Sequence, residues 1–175
     1  MRKVRLFIAM SLDGYIADSK GSVDWLDGQG DGETIDSYSE FVKDIDTVLM
    51  GWNTYHQIVT ELSPNEWVYG NFTTYVITHN EHSSTENIRF VNTNPANLVK
   101  ELREEAGKDI WICGGASLAH QLMNADLIDG YYITVIPTLL GSGVRLFENG
   151  EREIKLRLIN TRSYNGMTDL IYERR

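Results

Sequence analysis

This sequence has few cysteines and prolines and lacks the long apolar runs that secreted or membrane proteins need. It has one cysteine, three prolines and no long uncharged run in 175 residues. The lone Cys113 cannot form an internal disulfide, which fits a reducing compartment, and its place at the end of an apolar strand predicts an unreactive thiol. The longest apolar stretch, residues 130–144, is interrupted by Pro137 and two glycines and is too short to span a bilayer. The basic N-terminus lacks a signal-peptide core. We therefore expect a cytoplasmic protein that does not enter membranes.

Basic side chains are also few. The 16 Lys and Arg residues face 25 Asp and Glu residues, a net charge of −9. This balance argues against a nucleic-acid partner, because wrapping a polyanion needs a basic surface. The acidic net charge is compatible with a local pocket for a phosphate and with a small-molecule substrate. The hydrophobic content of 42% is typical of a globular protein, and the length predicts one domain over residues 1–175.

Strand-like and helix-like segments alternate along the chain. Apolar and β-branched runs predict strands at 4–10, 47–51, 73–78, 87–91, 109–113 and 131–136. Helical spacing, caps and breakers predict helices at 34–46, 53–62, 95–106 and 116–123. The Asn165-Gly166 pair predicts a final hairpin between residues 155–164 and 169–172. This alternation indicates an α/β three-layer sandwich, with a mainly parallel central sheet and a C-terminal antiparallel hairpin.

Two strand-to-helix turns could bind phosphate, since ligands of such sheets lie beyond the carboxyl ends of the strands. Gly114-Gly115 ends one strand and a helix follows at once, so a ligand could approach the backbone and the free N–H groups there. A tight turn without a ligand is the alternative. Gly51 ends another strand, where Asn53 or Thr54 either caps the next helix or helps to hold a second phosphate. The chain has no complete dinucleotide fingerprint or phosphate loop.

Isolated acids and histidines give weaker signals. Asp13 directly follows the first strand, where a carboxylate either accepts local backbone hydrogen bonds or transfers a proton. Asp36 and Glu40 lie one turn apart on the first predicted helix, facing either a cleft or solvent. His79 and His82 share a loop without a clear third ligand, so we read them as solvated side chains and expect no metal site.

Four motifs, in chain order, resemble the dihydrofolate reductase-like superfamily. They are Ala9-x-Ser11-Leu12-Asp13-Gly14-x-Ile16-Ala17, Val48-Leu49-Met50-Gly51-x-x-Thr54-Tyr55, Ile112-Cys113-Gly114-Gly115-Ala116-x-Leu118, and Pro137-x-Leu139-Leu140-Gly141-x-Gly143-x-x-Leu146-Phe147. The chain is particularly similar to the C-terminal reductase domain of the bifunctional deaminase-reductase of riboflavin biosynthesis. The resemblance covers nearly the whole chain. It implies a central sheet of about eight strands and NADPH as the cofactor.

The resemblance also implies the roles of single residues. The positions matching the cofactor site are Ala9, Ile16, Gly51, Trp52, Asn53, Thr54, Thr78, His79, Gly114, Gly115, Ala116 and Ser117. It further implies a cis peptide bond between the two adjacent glycines. We assign Asp13 and Asp36 as the polar, catalytic contacts to the acceptor, and Trp25 and Tyr38 as the walls of its cleft.

Two positions depart from the folate reductases. Trp52 stands where those enzymes usually carry Arg or Lys, which weakens the case for NADPH over NADH. Ser37 stands where they carry the carboxylate that binds the pterin, with Asp36 and Glu40 as neighbours. Dihydrofolate is therefore not the substrate we expect. The zinc-ligand motifs of the deaminase half do not occur in the chain.

Three kinds of function remain open from the sequence. The first is an NAD(P)H-dependent reductase of a small polar acceptor, resembling 5-amino-6-(5-phosphoribosylamino)uracil reductase, with a true dihydrofolate reductase as a variant. The second is a nucleotide-binding module without catalysis. The third is a dimeric scaffold, in which the apolar stretch Tyr131 to Leu140 either pairs at an interface or forms a core strand. A homodimer is compatible with the first function as well.

Overall fold

A computed structural model describes residues 1–32, 34–148, 150 and 153–175. The strands are β1 (Val4–Ser11), β2 (Tyr15–Ala17), β3 (Ile45–Gly51), β4 (Thr73–Ile77), β5 (Ile88–Val91), β6 (Asp109–Gly114), β7 (Gly130–Ile136), β8 (Val144–Arg145), β9 (Leu156–Tyr164) and β10 (Met167–Arg174). The helices are α1 (Ser37–Val42), α2 (Trp52–Gln57), α3 (Pro95–Glu104) and α4 (Ala116–Asn124), and a π-helical turn at Ile58–Leu62 extends α2.

Eight strands form one sheet in the order β5-β4-β3-β6-β1-β7-β10-β9. The six strands from β5 to β7 are parallel, while β10 runs antiparallel to both β7 and β9. Strands β2 and β8 pair separately beside this sheet. The predicted dihydrofolate reductase-like architecture, with eight strands and a C-terminal antiparallel hairpin, is confirmed.

Each face of the sheet carries its own hydrophobic core. On one face, apolar side chains of α3 and α4, such as Val99 and Leu122, pack with Leu6 of β1. On the other face, Phe41 of α1 packs with Trp111 of β6. The sheet is therefore the middle layer of three, and successive side chains of β1 point alternately to the two cores.

The first helix is shorter than predicted. It spans Ser37–Val42 instead of 34–46, because Asp36 caps it by accepting a 2.9 Å bond from the Ser39 N–H, and Ile45 already begins the buried strand β3. The predicted cap of the second helix was wrong as well. That helix begins at Trp52 directly after Gly51, without a side-chain cap.

The C-terminal hairpin turns at Asn165 and Gly166, both with positive φ (47° and 72°), as predicted from this dipeptide. Asn165 has a second role. Its carbonyl accepts a 2.9 Å bond from the Gln29 N–H, and its side-chain oxygen accepts a 2.7 Å bond from the Gly30 N–H. The glycine-rich loop at 28–32 is therefore docked on the hairpin.

Strand β7 lies inside the sheet. Its residues pair with β1 on one side and with β10 on the other. Because both edges of Tyr131–Ile136 are occupied within the sheet, the core-strand alternative is confirmed for these residues. A homodimer interface that includes residues 137–140 stays a prediction. None of the helices in the described parts of the chain has the length and apolarity needed to cross a membrane.

Candidate functional site

A crevice opens in the middle of the sheet at the carboxyl end of β1. This strand pairs with β6 only from Val4 to Leu6, but it stays paired with β7 through Ser11. On the edge of β1 that leaves β6, the Trp111 indole N–H donates a 3.1 Å hydrogen bond to the Phe7 carbonyl. Beyond this bond, Ala9 lies on the open edge. Such crevices between diverging parallel strands are where α/β sheets bind ligands.

The two glycine turns lie against each other beside this crevice. The Gly114–Gly115 peptide bond is cis, as predicted. A Cβ added at Gly115 would lie 3.4 Å from Thr54 Oγ1, and one added at Gly51 would lie 3.9 Å from the Gly115 nitrogen. Helix α4 has no side-chain cap, and its first backbone bond runs from Ala119 N–H to the Gly115 carbonyl. The N–H groups of its first turn are therefore open to a ligand.

A cleft of about 520 Å³ lies in front of these turns, and we call it the glycine cleft. Eight of the twelve predicted cofactor residues line it: Gly51, Trp52, Asn53, Thr54, His79, Gly115, Ala116 and Ser117. The other lining residues are Ala17, Gln57, Ile77, Pro95, Leu118, Gln121 and Val144. Within the described chain, no Asp, Glu, Lys or Arg lines the glycine cleft. Its polar groups are backbone, amide, hydroxyl and imidazole.

The sheet order arranges these residues in a line. Strands β1, β6, β3 and β4 are consecutive in the sheet. Near their carboxyl ends stand Ala9, Gly114, Gly51 and His79, in that order. Paired neighbouring strands lie about 4.8 Å apart, and β1 and β6 diverge beyond Leu6, so the three intervals span more than about 14 Å. An extended ligand can therefore follow the edge of the sheet from the crevice to His79.

Four predicted cofactor residues do not line the glycine cleft. Ala9 lies on the open edge of β1, Ile16 packs against the core, and a Cβ added at Gly114 would lie 3.7 Å from Thr54 Oγ1. Thr78 is buried, and its hydroxyl accepts a 3.1 Å bond from the Asn80 N–H, so it stabilises its own turn.

A second cleft, of about 210 Å³, lies on the other side of β1, and we call it the aspartate cleft. It is lined by Arg5, Phe7, Ser37, Glu40, Phe41, Asp44, Tyr132, Ile133, Thr134, Ile159, Asn160, Arg162, Asp169 and Ile171. Helix α1 forms one wall, and strands β7, β10 and β9 form the floor. The two clefts therefore lie on either side of β1 and share no lining residue in the described chain.

The floor of the aspartate cleft contains a polar row. Ala9 pairs with Thr134, Thr134 pairs with Asp169, and Asp169 pairs with Arg162 on four adjacent strands. Paired residues on adjacent strands project on the same face. Ala9 thus belongs both to the edge of the crevice and to this row.

Asp169 is the buried charge of this row, with 5% exposure. Its Oδ1 accepts bonds from the hydroxyls of Thr134 (2.7 Å) and Tyr164 (3.2 Å), and its Oδ2 accepts one from Ser37 on α1. Burial raises the pKa of Tyr164, so this phenol stays a neutral donor. A carboxylate offers about four lone-pair sites, so about one remains for a bound molecule.

An ion pair between Arg162 and Glu40 closes one side of the aspartate cleft. The guanidinium lowers the pKa of Glu40, and the carboxylate raises the pKa of Arg162. This pair ties helix α1 to strand β9 and holds both walls of the cleft together.

The two acids assigned from the sequence have local structural roles. Asp13 accepts bonds from the Ser11 hydroxyl (2.6 Å) and from the N–H groups of Leu140 (3.1 Å) and Gly141 (2.7 Å). These bonds, that of Ser11 foremost, lower its pKa to about 2. Asp36 caps helix α1, and its bonds to Ser39 lower its pKa. Neither acid lines either cleft.

The two predicted wall residues also differ in position. The indole N–H of Trp25 donates to the Ser22 carbonyl at 3.1 Å, and this residue lines neither cleft. Tyr38 stands edge-on to Phe7, which lines the aspartate cleft, and to Trp111, with ring centroids 6.3 and 5.9 Å away. Cys113 lies behind these rings, where burial raises its pKa to about 11, as expected of an unreactive thiol.

The sequence reasoning missed Thr134, Arg162 and Asp169. One signal could have found two of them. A two-residue turn at Asn165-Gly166 places Arg162 directly opposite Asp169 in the hairpin, since register follows from the turn. No group of three His, Cys, Asp or Glu residues suited to a metal ion occurs in the described chain.

Residues 2–171 match the family model of the RibD C-terminal domain. The chain belongs to the RibD C-terminal domain family. The uncharacterised protein YwjB of Bacillus subtilis is 42% identical over 176 residues, which cover 99% of this chain and 98% of YwjB. Family membership confirms the predicted resemblance to the reductase domain of riboflavin biosynthesis.

Two solved structures support the same fold. One, from Shewanella sp. PV-4 and provisionally assigned to riboflavin biosynthesis, is 27% identical, with a TM-score of 0.85 and 99% of both chains covered. The other is dihydrofolate reductase from Enterococcus faecalis, complexed with NADP(H). It is 18% identical with a TM-score of 0.67, and 98% of this chain and 96% of that one are covered.

Proposed function

We propose that this chain is an NAD(P)H-dependent reductase of a small polar acceptor, resembling 5-amino-6-(5-phosphoribosylamino)uracil reductase. The observation that carries the proposal is the position of two different clefts on either side of β1. Ala9 stands between them, on the open crevice and in the polar row with Thr134 and Asp169. A reductase needs such a junction, because its electron donor and its acceptor must come into contact.

The glycine cleft fits a dinucleotide. Gly51 and Gly115 leave the space that a side chain would fill, and the uncapped start of α4 offers N–H groups to a pyrophosphate. Trp52, Thr54 and His79 would hold the adenosine side, and the crevice beside Ala9 would hold the nicotinamide. NADPH is the cofactor suggested by the reductases of this fold, and it supplies a hydride when bound.

The aspartate cleft supports binding of the acceptor. Asp169 is fixed by three hydroxyl groups, so its remaining lone pair points in a set direction for an N–H or O–H of the acceptor. Phe7 and Phe41, stacked with centroids 4.4 Å apart, form an apolar wall that excludes water. The chain's own contribution is therefore to bind, to orient and to exclude solvent.

Titration of the protein with NADPH and NADH, followed by tryptophan fluorescence, tests this proposal. We expect saturable quenching, because Trp52 lines the glycine cleft. Turnover is then sought as loss of reduced-nicotinamide absorbance with polar heterocycles and sugar aldehydes as acceptors. If neither nucleotide binds, the proposal is wrong. Binding without turnover on any acceptor would favour the non-catalytic nucleotide-binding module.

A further inference from the structure

The adenosine side of the glycine cleft has an unusual chemistry for a site that selects NADPH. NADPH differs from NADH by a phosphate on the adenosine ribose, and sites that select it typically place an Arg nearby. No Lys or Arg lines the glycine cleft among the described residues. The adjoining depression shares His79 and contains His82, Phe90 and the acidic Glu81, again without Lys or Arg in its described lining.

Aromatic rings occupy this side of the cleft. The Trp52 indole stacks on the His82 ring, with centroids 4.2 Å apart and planes 16° apart. Phe90 lies beside both rings, its centroid 5.0 Å from that of His82 and 6.3 Å from that of Trp52. Trp52 is half-buried and also lines the glycine cleft, so a continuous ring surface extends outward from the cleft. Such a surface binds the flat face of a base and has no preference for a phosphate.

We propose that this aromatic surface makes the nucleotide site indifferent to the 2′-phosphate, so that NADH binds about as tightly as NADPH. This inference rests on the proposed function and concerns which dinucleotide the site selects. Trp52 is the residue that decides it. The indole offers contact area to the adenosine of either nucleotide, while the phosphate of NADPH finds no guanidinium or ammonium partner in the described lining.

Calorimetric titration of the intact protein with NADH and with NADPH tests the inference directly. We expect dissociation constants within about tenfold of each other, because a single charge-assisted hydrogen bond would separate them by about tenfold or more. We also expect that raising the salt does not weaken NADPH relative to NADH, since an unpaired phosphate has no ion pair to screen. A preference for NADPH above tenfold, lost at high salt, would overturn the inference while the proposed function stands. Binding of neither nucleotide would instead overturn the proposed function.

Two variants at the same position sharpen the test. Trp52→Arg puts a guanidinium at the cleft and should create an NADPH preference of about tenfold or more over NADH. Trp52→Leu removes the ring without adding charge and should weaken both nucleotides by similar factors. If Trp52→Leu weakened NADPH alone, Trp52 would be a phosphate-selecting residue and the inference would be wrong. Thermal unfolding of each variant confirms that the fold is retained.

Discussion

The two clefts of this protein differ in the chemical groups that line them. The glycine cleft is formed largely by backbone and by neutral side chains at the ends of parallel strands. The aspartate cleft, at the switch from parallel to antiparallel strands, has five charged side chains in its described lining: Arg5, Glu40, Asp44, Arg162 and Asp169. In the proposed function, the glycine cleft takes the nucleotide, a ligand common to many proteins. The aspartate cleft takes the acceptor, which is specific to this protein.

This difference has a physical basis. Backbone N–H groups at helix starts bind phosphates wherever a turn leaves space, so the glycine cleft depends on small residues at fixed places. A carboxylate such as Asp169 recognises one arrangement of donors, so the aspartate cleft depends on side-chain identity. Substitutions in the two clefts should therefore have separable effects.

Filling the glycine cleft should have the largest effect. Gly115→Val puts a side chain against Thr54, where even a Cβ would lie 3.4 Å from the hydroxyl. We expect nucleotide affinity to fall about a hundredfold, equivalent to about 2.7 kcal/mol, in a fluorescence titration. Gly70→Ala is the matched control, since its added Cβ makes an ordinary 3.7 Å contact with a loop carbonyl. Unchanged affinity in Gly115→Val would show that the nucleotide does not use this turn.

Removing the buried carboxylate should leave the glycine cleft intact. Asp169→Ala deprives the hydroxyls of Ser37, Thr134 and Tyr164 of their acceptor. We expect the free energy of unfolding in urea to fall by about 2 kcal/mol, and by about 1 kcal/mol in the single-hydroxyl variant Ser37→Ala. Nucleotide affinity should stay within about twofold of the wild type. A large loss of affinity in Asp169→Ala would mean that the two clefts are not separate.

The smallest effect concerns Asp13, outside both clefts. Its pKa of about 2 in the folded chain is below the ordinary value of 3.8, so the unfolded chain takes up the proton first as the pH falls. The stability that this carboxylate contributes is present above about pH 4 and is lost as the pH falls through about 2. Acid-unfolding curves of Asp13→Asn should therefore be flatter than those of the wild type in this range. An equally steep curve would show that Asp13 does not stabilise the 140–141 loop through its ionised form.

The sequence predicted most residues of the glycine cleft but not the buried carboxylate of the aspartate cleft. The difference is whether a residue's role depends on its neighbours in the chain or on distant strands. Gly51 and Gly114-Gly115 are local signals, because each marks a strand end followed at once by a helix. The turn at Asn165-Gly166 is a local signal only for the pairing of Asp169 with Arg162. The hydroxyl partners of Asp169 on α1 and β7 are brought to it by the tertiary fold and the register of the sheet. The two acids assigned from the sequence instead bind backbone N–H groups. Asp36 accepts from Ser39 in its own helix, and Asp13 accepts from Gly141 in a loop that is distant in the sequence.

The helix boundaries show the same limit. The 3.6-residue spacing predicted a helix as far as Asp46, yet Ile45 already belongs to β3. Apolar residues at the junction of α1 and β3 serve the same core, so periodicity alone cannot locate the boundary between them. The hairpin, in contrast, was located within two or three residues, because Asn165 and Gly166 adopt the positive φ that only a few residue types accept.

Backbone hydrogen exchange with and without a saturating reduced nucleotide tests which cleft binds the nucleotide. We expect slower exchange at residues 51–54 and 115–118, at the two turns of the glycine cleft. The exchange rates of residues 162–169, in the aspartate cleft, should change little, because this cleft would bind the acceptor and not the nucleotide. Protection confined to the aspartate cleft, with none at the two turns, would contradict the assignment of the clefts.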